Sequence, residues 1–210
     1  MYSNSQVFKT LTSNNFFHAQ QYICGLFQSD KRNMEKLVEK VAQSEYHKIH
    51  HFISESPWDA KCGFDRVVKD TNKLFADFQT VYLVIDESSH TKSGKHSVAV
   101  SRQYNGQLGK VDNCQVAVYG ALSTHGYYSL IDIQLYIPQD WFNQPTKCKK
   151  AGIPLNINEQ RTKTQLALKI IKHQTKLGIR FIFVVADGLY GHDSNLRKET
   201  DKLGVLYVTV

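Results

Sequence analysis

Hydrophobic and polar positions change their rhythm near residue 80. Before it, apolar residues recur at helical spacing. In MEKLVEKVAQ the positions Met34, Leu37, Val38 and Val41 fall at i, i+3, i+4 and i+7, one face of a helix, with Asp30 a candidate N-cap. EYHKIHHFI predicts a second helix, and Pro57 marks a break. FDRVVKDTNKLFADF then repeats the pattern through Phe64, Val67, Val68, Leu74, Phe75 and Phe78. Residues 1–78 thus read as a helical N-terminal region, and 79–210 as a second domain.

From Val81 the pattern is that of strands. VYLVID is a short apolar run of the kind buried on both faces of a sheet. The polar stretch SSHTKSGKHS reads as a turn, followed by SVAVSRQY, CQVAVYGALS and the alternating YYSLIDIQLYI, an antiparallel series. TKTQLALKIIKHQTKLG predicts a helix stopped at Gly178, FIFVVAD a strand, SNLRKETDKLG a helix ended by Gly204, and VLYVTV a last strand. Residues 138–160, with Lys147, Lys149, Lys150 and Asp140, fit neither period and read as an excursion.

This order predicts an α/β mixed sheet: a ribonuclease-H-like core of three antiparallel strands followed by helix, strand, helix, strand, preceded by the helical region. In such a core the strand ending at Asp86 lies beside the strand ending at Asp187. Carboxylates at adjacent strand ends sit at the sheet rim, where ligands of open sheets bind, and supply hard oxygen donors suited to Mg²⁺ or Mn²⁺. A pair of such ions can activate an oxygen nucleophile and stabilise a leaving oxygen, which points to phosphoryl transfer. A lone strand-terminating Asp can simply bond its own turn; the pairing favours the metal reading. Glu87 should point to the opposite face from Asp86 and is not counted as a ligand.

Composition narrows the partners. The formal charge of +7 and pI ≈ 9.1 suit a polyanion. Lys92, Lys95, Arg102 and Lys110 are candidate DNA phosphate contacts, expected near the same rim. Cys24, Cys62, Cys114 and Cys148 form no C-x-x-C pair and read as buried free thiols. His47, His50 and His51 lack the H-E-x-x-H pattern of a zinc site. Trp58 and Trp141 read as packing residues rather than base-stacking platforms. No run approaches the roughly 18 apolar residues of a membrane span, and MYSNSQVFKT lacks the features of a secretory signal. A soluble intracellular protein is expected.

The block DESSHTKSGKHSVAVSRQYNGQLGKVDNCQVAVYGAL resembles that of bacterial insertion-sequence transposases of the DDE superfamily. YICGLFQSDKRNMEKLVEKV with HFISESPWD is similar to their helical N-terminal region, and VVADGLYG to the segment of their second catalytic aspartate. The resemblance implies a DNA transposase that cuts transposon ends and transfers strands with two divalent ions held by Asp, Asp and Glu. Asp86 and Asp187 match the two aspartates. Its partners would be double-stranded DNA, at transposon ends and target, and further copies of the chain in a synaptic complex. Its place would be the bacterial cytoplasm, on the nucleoid when bound to DNA. The family's glutamate lies well beyond the second aspartate, whereas Glu199, the only Glu after Asp187, falls on the predicted crossover helix. The expectation is a C-terminally truncated transposase, inactive alone. The alternative is a non-catalytic DNA-binding remnant that occupies transposon ends. An Asp-nucleophile phosphatase is disfavoured because Glu87 and Ser88, not a second Asp two positions on, follow Asp86.

Overall fold

The structure, a computed structural model, describes residues 7–8, 14–154, 157 and 159–209. Leu155, Asn156 and Asn158 of the excursion, and Val210 of the last predicted strand, lie outside the described residues. The chain divides into two compact units, residues 1–66 and 67–210. The first contains α1 (Phe16–Gln28), α2 (Met34–Lys40) and α3 (Tyr46–Ser54), and α4 (Ala60–Leu74) runs across the division. The cap of α2 is Asn33, not Asp30: its side chain accepts the Lys36 N–H at 2.9 Å, because the helix starts three residues later than Asp30 requires. Among the described residues no helix is long and apolar enough to cross a membrane.

In the second unit β1 (Tyr82–Thr91), β2 (Ser101–Asn105), β3 (Lys110–Thr124), β4 (Tyr127–Tyr136), β5 (Phe183–Ala186) and β6 (Leu206–Thr209) form one mixed sheet. β1 pairs antiparallel with β3 and parallel with β5, and β5 pairs parallel with β6. β4 pairs with β3 on its other side. The order β4–β3–β1–β5–β6 is the expected ribonuclease-H-like one, with β2 an added short strand on the far end of β3. β1 corrects the turn expected at SSHT: it runs on to Thr91, because Ser88 to Thr91 pair with Ala117 to Cys114 of β3. Backbone pairing holds this polar stretch without help from apolar side chains.

One sheet face is covered. Leu83 and Ile85 of β1, with Val118 and Leu122 of β3, pack in a core shared by Val68 of α4 and by Phe75 just after it. Leu166, Ala167, Ile170 and Ile171 of α7 (Lys163–Lys176) complete it. α7 begins with a capping box between Thr162 and Gln165 and is followed by Gly178 at φ +68, where a left-handed turn suits glycine. The opposite face carries Tyr82 and Val84, in register with Ala121, Leu130, Phe183 and Val185. There Tyr128, Leu130, Leu206 and Val208 are exposed, and the rings of Tyr82 and Phe183 stack 5.4 Å apart. Asp86 projects from this open face, by the alternation of its strand.

Two substitutions test this packing. A Cβ on Gly120 would lie 2.8 Å from Cγ2 of Ile170, a fully buried branched side chain. Gly120→Ala should therefore cost about 1–3 kcal/mol by overpacking, read as a lower Tm; an unchanged Tm would mean that α7 sits further from β3. Asp193 caps α9 (Ser194–Lys202), accepting the Leu196 N–H at 2.9 Å. A hydrogen bond from Thr164 and that from Leu196 hold its carboxyl below the ordinary range. A depressed carboxylate stabilises the fold above its unfolded pKa, near 4, and that contribution disappears as pH falls through the folded value. Asp193→Ala should cost about 1 kcal/mol at pH 7 and progressively less in acid, measurable by urea unfolding across pH.

Candidate metal centre

The parallel ladder between β1 and β5 ends at Ile85 and Ala186. The next residue in each segment is an aspartate, so Asp86 and Asp187 stand side by side where this ladder stops. Asp187 leaves β5, whereas Asp86 stays paired with Tyr119 of β3 rather than ending its strand as expected. β5 then turns into α8 (Gly188–Gly191), whose N-cap is Asp187: its Oδ1 accepts the N–H of Leu189 at 3.0 Å and of Tyr190 at 3.4 Å. Asp86 accepts the Glu87 N–H at 2.8 Å. Oxygens of Asp86, Glu87 and Asp187 all lie within 4.8 Å of one another. They line a cavity of about 470 Å³ with Ser88, Tyr104, Gln107 and Lys163.

Glu87 corrects the expectation that it faces away. It does share the covered face with Leu83 and Ile85, but the rim is open beyond Ala186 and its longer side chain bends into the gap. There Lys163 Nζ donates to its Oε1 at 2.7 Å and the Tyr190 hydroxyl donates to its Oε2 at 2.6 Å. Strand alternation gave the direction of the Cβ correctly and missed the reach of the carboxylate.

Burial pushes the Asp86 carboxyl above its ordinary value, and the negative charges of Glu87 and Asp187 add to this; the Glu87 N–H and Lys163 oppose it. Burial also raises the Tyr190 phenol, with the Glu87 carboxylate as its hydrogen-bond partner, so it remains a donor. Tyr207 of β6 is pushed up to about 12 by burial and by the charge of Asp187. Its hydroxyl is buried without a hydrogen-bond partner among the described residues. Convergent carboxylates, one held above its ordinary pKa partly by its neighbours, fit a hard divalent cation, which relieves such repulsion.

The other candidates are dispersed. None of Lys92, Lys95, Arg102 and Lys110 lines the Asp86–Asp187 cavity itself, although Lys110 pairs with Asn105, whose neighbours Tyr104 and Gly106 do. Lys92 follows β1, Arg102 faces Asn113 across β2 and β3, and Lys110 opens β3 opposite Asn105. Lys95 lines a separate cavity of about 810 Å³ with His96, Lys147 and Lys150. The excursion contains α5 (Gln139–Phe142) and α6 (Pro145–Lys150), anchored by Trp141, which is fully buried. Trp141 is a packing residue, as expected, whereas Trp58 is partly exposed beside Phe8 and Phe52. His47, His50 and His51 join no metal-ligating cluster among the described residues. The cysteines are free thiols, but only Cys114 is buried; Cys24 and Cys62 are exposed. Glu199 is held by Lys172 and Lys202, each at 2.7 Å, and these cations hold its carboxyl down at about 2.

The profile of the DDE superfamily endonucleases matches residues 6–210. A probable transposase for insertion sequence element IS701 from Microchaete diplosiphon is 30% identical over 182 residues, covering 85% of this chain and 44% of the relative. The chain therefore spans less than half the length of that relative. Among solved structures, the Drosophila P element transposase strand transfer complex is 11% identical, covers 94% of this chain and 37% of that one, and gives a TM-score of 0.27. A Ppx/GppA family protein of Aquifex aeolicus is 14% identical over 62% of this chain and 35% of that one, with a TM-score of 0.24. Similarity at that level carries no functional meaning. The profile match covers nearly the whole chain, with both aspartates inside it: this chain belongs to the DDE superfamily endonucleases.

Proposed function

We propose that this chain carries the metal-binding core of a DNA transposase, with Asp86 and Asp187 as ligands for Mg²⁺ or Mn²⁺. The carrying observation is the convergence of these carboxylates where the parallel ladder between β1 and β5 stops. Divalent ions held there supply activation of the attacking oxygen and stabilisation of the leaving one. The chain's own residues hold the geometry. Asp187 is fixed by two N–H groups of α8, and Asp86 by its place on a strand paired on both sides up to Ile85. Lys163, in the wall of the same cavity, offsets part of the negative charge that would repel a phosphodiester. Lys92, Lys95, Arg102 and Lys110 would hold duplex DNA by its phosphates on the extension of β1, β2 and β3.

In a full-length relative, substitutions matching Asp86→Asn and Asp187→Asn should each abolish transposon-end cleavage and spare end binding. Near-normal cleavage by either would remove that residue from the site. A second reading, DNA-end binding without chemistry by this chain alone, is favoured by Glu199, which two lysines occupy on α9. For either reading, binding of the 210-residue chain to terminal-repeat DNA should weaken steeply with salt. A flat salt dependence would mean that phosphates are not what it holds.

A further inference from the structure

Above the last paired residues, Ile85 and Ala186, no ladder hydrogen bond ties β1 to the turn after β5. The two aspartates stand at this unpaired mouth and repel each other. One side chain closes the gap. Tyr190 is fully buried, with its ring in the core. Its N–H bonds Asp187 Oδ1 at 3.4 Å, and its hydroxyl bonds Glu87 Oε2 at 2.6 Å. Glu87 is covalently next to Asp86, and its other oxygen is fixed by Lys163 at 2.7 Å. Asp86, Glu87, Tyr190 and Asp187 are thus joined by a continuous chain of covalent and hydrogen-bonded links that spans the mouth.

We infer that Tyr190 is a positioning residue: its hydroxyl, seated on Glu87, sets the separation of Asp86 and Asp187 that a divalent cation requires. This rests on the metal-binding reading above. The physical need is tolerance. Mg²⁺ ligands sit at about 2.0–2.1 Å in near-octahedral geometry, and a site that is loose by about 1 Å fails through its supporting shell. Glu87 itself is spoken for by a cation and a phenol, so it acts as the anchor of the strut, with Lys163 balancing its charge.

The test is Mn²⁺ binding to the 210-residue chain, followed by titration calorimetry and the electron paramagnetic resonance signal of bound ion, with Tm recorded in the absence of ion. Tyr190→Phe keeps the ring and removes the hydroxyl. It should weaken Mn²⁺ about tenfold, the loss typical of an outer-shell partner, and change the spectrum of bound ion while Tm moves little. Affinity within about twofold of wild type, with or without a lower Tm, overturns the inference. Glu87→Gln and Glu87→Ala approach the strut from its exposed end. Both remove the charge, but Gln retains an oxygen for the phenol, so Glu87→Ala should bind Mn²⁺ clearly more weakly than Glu87→Gln. Equal affinities overturn the inference. Asp86→Asn separates the two levels. If it abolishes binding and Tyr190→Phe does not weaken it, only the strut fails. If Asp86→Asn leaves binding intact, the metal-site reading fails and the strut with it.

Discussion

Asp187→Asn should eliminate measurable Mn²⁺ binding while leaving the fold intact, and Asp187→Ala should damage both. The difference follows from the two tasks of this side chain. Its charge completes the carboxylate cluster, and its Oδ1 caps α8 through Leu189 and Tyr190. Asn retains a carbonyl oxygen and caps as well as Asp, so it removes the charge alone. Loss of a direct carboxylate ligand should exceed the ~10–100-fold cost of losing an outer-shell partner. Ala also strips the cap, at about 1 kcal/mol, and frees the turn that Tyr190 braces. Calorimetric titration with thermal unfolding of both variants checks this. Equal Tm values for Asn and Ala would show that the cap contributes nothing.

The largest effect on stability should come from Trp141→Ala. Trp141 is fully buried, donates its indole N–H to the Val100 carbonyl at 2.9 Å, and carries Lys147 Nζ 4.1 Å from its ring centroid. It is the bolt between the excursion and the loop before β2. Truncating a buried Trp to Ala costs about 3–5 kcal/mol, and ~1 kcal/mol moves Tm by about 2–4 °C in a chain of this size. A fall on the order of 10 °C is therefore expected. Trp141→Phe keeps most of the ring but orphans the carbonyl, and should lose a smaller part. If Trp141→Ala lowered Tm no more than Trp141→Phe, the indole hydrogen bond rather than the ring would hold the excursion.

What could be read from the sequence follows from where local pattern and tertiary structure agree. VYLVID and FIFVVAD are apolar runs rich in β-branched residues, so β1, β5 and the adjacency of Asp86 and Asp187 were legible. Burial on both faces was not met: only alternate residues such as Leu83, Ile85, Val184 and Ala186 are buried. The α7 segment was legible because its apolar stripe and Gly178 coincide with its real ends. The polar half of β1 was not, since its pairing with β3 is made by backbone groups that side-chain patterning does not report. The same extension places Lys92 beyond the end of β1 rather than in the turn expected right after Asp86. Glu87 was set aside by a rule about Cβ direction that ignores side-chain length. Its partners Lys163 and Tyr190 are 76 and 103 residues away, beyond any local window. Tyr190 had one available signal, its place three residues after Asp187 in VVADGLYG.

In the proposed function, Asp86 and Asp187 jointly hold a divalent cation. The most direct test is titration of Mn²⁺ into the 210-residue chain and into Asp86→Asn, with Tm followed in both. Binding should be saturable, should raise Tm of the wild-type chain and should be lost in Asp86→Asn. Without ion, Asp86→Asn should melt higher than wild type at pH 7, because burial and like charges hold the Asp86 carboxyl above its ordinary pKa. A raised carboxyl costs stability once ionised, so this advantage should vanish in acid, where the wild-type group is protonated. Saturable Mn²⁺ binding of equal strength in both proteins, with no difference in Tm, would contradict the claim.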